Sequence, residues 1–251
     1  MKRVIATKLA GIALTSVFSV SAANAALINV TVSGPGKAAA EAAEAQFMSY
    51  LKESTTETFE GFTAANGAGD QTGSINTSVG SFTQLIAGGN GNEACNDNGF
   101  SCTAGLAVLN SATSPFGGRF PMPEGVDNKN WLDSMDSQEM MFSIAGMYKA
   151  VGFYMTDPND VGGLMDIVLE DNTTATYDMN NIFTGAESNG AAYYLGFISD
   201  VSIKSLVFRS NDDNDGFGID NVTVGKVPEP GTLALMGLGL VGVGLMRRRA
   251  R

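Results

Sequence analysis

Two carboxylates in this chain fall where carboxylates are hard to accommodate. In Phe59-Glu60-Gly61-Phe62 a strand pleat puts Glu60 on the face of Phe62. In Phe217 to Val224 it puts Asp220 on the face of Val222 and Val224. If those faces point into a core, each carboxylate sits among apolar side chains at a cost of several kcal/mol unless compensated. No basic residue lies near either in sequence. A hard cation taking oxygen ligands would compensate both. The acidic turn Asn211 to Gly216 stands beside Asp220, so the expected structural Ca²⁺ set is Glu60 and Asp220 with Asp213 or Asp215. The alternative is that both carboxylates lie at strand ends and face water. An EF-hand is excluded, because its twelfth loop position is Val222 where Glu is needed.

Other chemistry is thinner. The chain has no histidine, which removes the Ser-His-Asp and Cys-His nucleophile systems and every His-ligated metal site. Cys95 and Cys102 flank a Gly/Asn-rich loop and read as a local disulfide in an oxidising compartment. Sugar recognition needs exposed aromatic faces. Trp131, Tyr193 and Tyr194 are the candidates for ligand binding, with Phe116 and Phe120 behind them and Asn128 and Asn130 beside the tryptophan. For adjacent tyrosines on a strand, one ring points in and one out, so at most one is available. A glycosidase needs two carboxylates across a cleft, but with this many acids coincidental pairs are certain. No catalytic residue is assigned.

The elements that must position these groups are mostly strands. Lys37 to Lys52 is Ala- and Glu-rich and reads as one helix. Residues 64–81 and 87–103 are Gly, Asn, Ser and Thr-rich turns, and 115–130, with three prolines, reads as a long surface loop. From Glu139 onward, short alternating runs are punctuated by turn signals such as Asp157-Pro158-Asn159-Asp160, Asp171-Asn172 and Ser188-Asn189-Gly190. The fold class is mainly β: an antiparallel two-sheet sandwich with one Ala-rich helix. Apolar helices are expected at both termini.

The ends are distinct from the body. The formal charge is −11, and the terminal segments hold seven of the 15 basic residues. Residues 26–226 therefore carry eight basic against 25 acidic residues, which argues against a nucleic-acid partner. Residues 1–25 read as a signal peptide: Lys2 and Arg3, an apolar stretch, then Ala23-Asn24-Ala25 with cleavage before Ala26. At the other end, Pro228-Glu229-Pro230 precedes an apolar run, Thr232 to Met246, closed by Arg247, Arg248 and Arg249. Fifteen residues of helix span about 22 Å, short for a hydrocarbon core of about 30 Å. The arginines should stay cytoplasmic, which puts the body across the inner membrane. This tripartite tail, residues 227–251, closely resembles the PEP-CTERM sorting signal. The resemblance implies an exosortase-type membrane protease as partner, transient anchoring in the inner membrane, and removal of the tail. The alternative is an ordinary C-terminal anchor behind a proline-containing linker.

The body, residues 26–226, also resembles a module common in PEP-CTERM proteins. The matching stretches are Ala150 to Asp157, Tyr194 to Asp200 and Gly216 to Val224, with Thr56 to Phe62 as a first core strand. That resemblance implies a jelly-roll or lectin-like sandwich, in which first and last strands are neighbours and Glu60 can meet Asp220. It implies no enzyme activity. The expected protein is exported, processed and non-enzymatic, at the cell surface or outside it. It is associated with exopolysaccharide and biofilm, with glycan binding as its leading activity. The alternatives are a carbohydrate-active hydrolase on the same scaffold and a surface adhesin or structural subunit.

Overall fold

The computed structural model of the chain describes residues 18–20, 28–89, 94–158, 161–183 and 190–228. Its strands, in chain order, are β1 (Phe18–Val20), β2 (Ile28–Val32), β3 (Glu53–Glu57), β4 (Ser74–Asn76), β5 (Gly80–Ile86), β6 (Ala107–Asn110), β7 (Asn130–Asp133), β8 (Glu139–Thr156), β9 (Leu164–Leu169), β10 (Thr174–Asp178), β11 (Ala192–Arg209) and β12 (Gly218–Lys226). Among the described residues the helices are α1 (Lys37–Ser49), α2 (Ala94–Asp97) and α3 (Met179–Ile182).

All pairings are antiparallel, and they join into one large sheet. The two layers expected from the turn spacing take a different form from two separate sheets, because β8 and β11 run through both. Residues 150–156 of β8 pair with 192–198 of β11, whose outer neighbour is β2. Residues 139–143 pair with 205–209, which β9 and β10 extend. Register shifts between Ile198 and Ser205 mark the bend between the halves. Folding at that bend brings the halves face to face: Phe153 of one meets Phe208 of the other edge-on at 5.8 Å between ring centres. Val151, Phe153, Met155, Val222 and Val224 share one core with Phe82, Phe142, Met165, Ile167 and Leu206.

One outer face is covered by α1. Ala40, Ala43 and Phe47 recur at helical spacing and are buried. The Phe47 ring lies over a cross-strand glycine pair, Gly152 and Gly196. A Cβ on Gly196 would come within 2.6 Å of that ring, so the sequence leaves the space open. Glu44 of α1 accepts a 2.6 Å hydrogen bond from the Tyr154 hydroxyl. α1 ends at Ser49, with Tyr50 as its cap, three residues before the expected end.

At the N-terminus, Phe18–Val20 is a strand paired with β2, not helix. The leader cleavage residues Ala23, Ala25 and Ala26 lie outside the described residues, as do Glu229, Pro230, Arg247, Arg248, Arg249 and the apolar run 232–246. Among the described residues no helix is long and apolar enough to cross a membrane.

Candidate functional site

Asp220 stands on β12 with 1% of its surface exposed. The pleat that put it beside Val222 is broken: β12 shifts register against β8 between Asp220 and Thr223, and Asn221 adopts φ 46°. Ile219, Val222 and Val224 point into the core, while Asp220 meets the segment 122–128 instead. Its Oδ2 accepts from the Met122 amide at 2.8 Å and from Asn128 Nδ2 at 3.1 Å, and its Oδ1 accepts from the Asn221 amide at 2.7 Å. Burial pushes its carboxyl well above the usual range. The amide donors of Met122 and Asn221 and the Asn128 side chain act the other way, and nearby Glu60 adds to the rise.

Glu60 reaches this place by a turn and not by a strand. β3 stops at Glu57, and Phe59 takes φ 58° with its ring in the core. Glu60 is therefore exposed, and its Oε1 accepts from the Lys129 and Asn130 amides, both at 2.6 Å. Asn130 in turn donates to the carbonyls of Phe59 and Phe62, each at 3.1 Å. The segment 122–130, expected to be a surface loop, thus ties Glu60 and Asp220 together. β3 pairing with β12 sets them side by side.

The other two expected ligands go elsewhere. Asp215 accepts from Arg119 Nη2, and Asp213 Oδ1 accepts from Asn214 Nδ2 at 2.8 Å. Arg119, which the sequence reading missed, is the centre of a buried charge cluster. Its Nη1 donates to Asp133 Oδ1 at 3.0 Å, and Asp133 is fully buried. Burial lowers the basicity of Arg119, but Asp133 and Asp215 outweigh it and hold the guanidinium charged. The signal was a lone Arg in a proline-rich stretch of an acid-rich chain. Its partners, 14 and 96 residues away, carried none.

Cys95 and Cys102 form the expected disulfide, with Cα atoms 5.4 Å apart. Asp136 lies against it, and these three are the one trio of His, Cys, Asp or Glu ligand atoms gathered within 4.8 Å among the described residues. With both sulfurs in a disulfide, that trio is no metal centre.

The aromatic candidates are corrected by burial. Trp131 is 1% exposed, its indole N–H donating to Asp133 Oδ2 at 3.2 Å. Tyr193 turns into the core against Phe183, 4.8 Å between ring centres. Tyr194 points out as expected of its neighbour, yet α1 covers it, with Phe47 5.8 Å away. None of the three offers a face for stacking on a sugar.

The exposed Pro228 follows the last strand closely: β12 ends at Lys226, and Val227 packs against the cluster beneath α1. Residues 226–249 match the PEP-CTERM protein-sorting motif. The chain carries an exosortase sorting signal. PEP-CTERM proteins are exported to the cell surface or beyond it, and exosortase is a membrane protease. No curated protein matches the chain. Among solved structures, the chain is similar to the K2 cleaved adhesin domain of Lys-gingipain, at 14% identity over 68% of this chain and 99% of that one, TM-score 0.36. It is also similar to a glycoside hydrolase family 43 arabinoxylan arabinofuranohydrolase from Bacillus subtilis, at 12% identity over 47% of this chain and 27% of that one, TM-score 0.28. Likeness at this level implies neither a shared ligand nor a shared activity. The three stretches that resemble the PEP-CTERM module fall on neighbouring strands, β11, β8 and β12.

Proposed function

We propose that this PEP-CTERM protein is a non-enzymatic surface or matrix component, held at the inner membrane by its tail until exosortase removes it. The observation that carries the reading is where the ends of the body stand. Asn29, Ile198, Ala150, Gly225 and Ser54 form one row across β2, β11, β8, β12 and β3. Ile28 precedes that row and Lys226 follows it, on the same side. Three strand spacings separate them, about 14 Å.

Both terminal segments therefore leave from the bent end of the sheet. Residues 227–231 span at most about 18 Å before the apolar run begins. Such a tether holds the bent end against the membrane and turns the opposite, loop-bearing end outward. The charges suit that arrangement. Lys52, Lys149, Lys204 and Lys226, half of the body's basic residues, lie at or near the bend, where they offset Glu53, Glu170, Asp171 and Asp200. The loop end carries Asp212, Asp213 and Asp215 at its surface, while Asp133, Asp136 and Asp157 are buried there. An anionic lipid surface repels the second and tolerates the first. The outward acidic, amide-rich loops are the surface offered to exopolysaccharide.

Intact-mass measurement of the protein recovered from the cell surface tests this reading. A mass lacking the segment from the Pro-Glu-Pro motif to the arginines is expected. A mass that retains Arg247 to Arg249 on surface material would overturn it.

A further inference from the structure

We infer that removal of the leader opens the edge of β2, and that a second copy of this chain pairs there, β2 against β2. In the full chain β1 sits on that edge: Phe18, Ser19 and Val20 pair antiparallel with Val30, Asn29 and Ile28. Residues 18–20 belong to the leader, upstream of the expected cleavage before Ala26. Cleavage therefore strips the outermost strand from this half of the sheet. Backbone direction shows what is left bare. The Ser33 amide donates to the Tyr194 carbonyl at 3.0 Å, so Ser33, Thr31 and Asn29 turn their amides and carbonyls toward β11. Ile28, Val30 and Val32 turn theirs the other way, into the place that β1 leaves.

The other edges of the described sheet are blunted against such pairing. β3 carries Glu53 and Glu57, β10 ends on Asp178, and β4 is three residues long. β6 is covered: the Ala65 amide donates to the Val108 carbonyl at 2.8 Å, and Thr72 bridges to Leu106. Residues 28–32 hold no charge and no proline, and β2 pairs along its whole length with β11 without a register shift. A flat, uncharged edge with its donors and acceptors bare is a template for another strand.

The strand that fits this template best is its own copy. With a two-fold axis at Val30, Val30 exchanges backbone hydrogen bonds with Val30 of the second copy, and Ile28 exchanges them with Val32 on either side. Those three residues are the ones whose groups face outward. Their side chains lie on the core face, so apolar meets apolar across the axis. On the other face the exposed Asn29 stands opposite the half-buried Thr31, an amide against a hydroxyl, and no like charges meet. In this pair the bent ends point in opposite directions. Two bodies standing on one membrane by their bent ends cannot form it, so pairing belongs to the released protein; that clause alone rests on the tethering proposed above.

The test is sedimentation velocity over a range of concentrations, on protein recovered from the cell surface with Ala26 as its first residue. The mass should rise about twofold with concentration, and a chain that keeps its leader should stay monomeric under the same conditions. The double variant Asn29→Lys with Thr31→Lys sets lysine against lysine across the axis, on the face turned away from the core. It should be monomeric with its melting curve unchanged. Mixing it with the double variant Asn29→Glu with Thr31→Glu should restore a mixed dimer, which a merely damaged fold would not do. Recovered protein that stays monomeric at every concentration would overturn the inference. So would a dimer that the lysines leave intact, a leader-bearing chain that dimerises equally well, or oppositely charged variants that fail to pair. Loss of the tether would leave the dimer in solution untouched, so the two readings fail separately.

Discussion

The two ends of the sheet are built by different means. At the bend, continuous strands do the work: β8 and β11 pass from one half of the sheet to the other, so the core there is held by backbone pairing and by rings such as Phe153 and Phe208. At the loop end the pairing is short, with β7 meeting β12 over two residues. Side chains take over. Arg119 binds Asp133 and Asp215, Gln71 reaches the Ser101 and Gly105 carbonyls at 2.7 and 3.0 Å, and the disulfide closes its own small loop. Backbone pairing tolerates side-chain change, whereas a buried network fails when one member goes. The bent end is therefore the durable one, and it is also where the chain leaves toward its tail.

Breaking the loop end should have the largest effect. Arg119→Met leaves Asp133 buried without a cation and should destabilise by about 3–5 kcal/mol. Hydrogen exchange should rise in 65–72, 106–110 and 130–137 while β2 and 195–199 keep their protection. Equal loss at both ends would erase the distinction. Replacing both cysteines by alanine removes a short closure and should lower stability by about 2 kcal/mol, again read in the loop-end amides. Gly196→Ala attacks the junction between sheet and α1. Its methyl meets the Phe47 ring, and the helix must shift, costing about 1–3 kcal/mol by thermal melting, with hydrogen exchange rising in α1. At the bend, Lys226→Ala removes an exposed pair with Glu53, both side chains 58% exposed, and Tm should not change measurably.

How far the sequence carried differs between the ends in the same way. Strands after Glu139 were legible because their alternation is regular. The bend is not announced by the sequence, because Ala145, Gly146 and Met147, exposed in mid-strand, interrupt the alternation without a turn signal. α1 was legible from its alanines, but not that it would cover Tyr194. That burial depends on glycines at Gly152 and Gly196, brought together only by pairing. Glu60 and Asp220 meet because β3 lies beside β12. The pleat argument for both failed at Phe59 and Asn221, whose positive φ angles no local pattern announced. Trp131 was read as exposed because nothing in Asn130-Trp131-Leu132-Asp133 tells that the aspartate will take the indole proton. Arg119 was illegible because its partners are distant in the chain.

The lysines offer a direct test of orientation, since both ends carry them. The tailed precursor in anionic vesicles and the tail-free body in solution would be treated with an amine-reactive label and read by mass spectrometry. Lys52, Lys149, Lys204 and Lys226 should react several-fold more slowly in the anchored form, while Lys37 and Lys129 react at the same rate in both. Equal slowing of both groups, or slowing at Lys37 and Lys129 alone, would contradict a body that stands on its bent end.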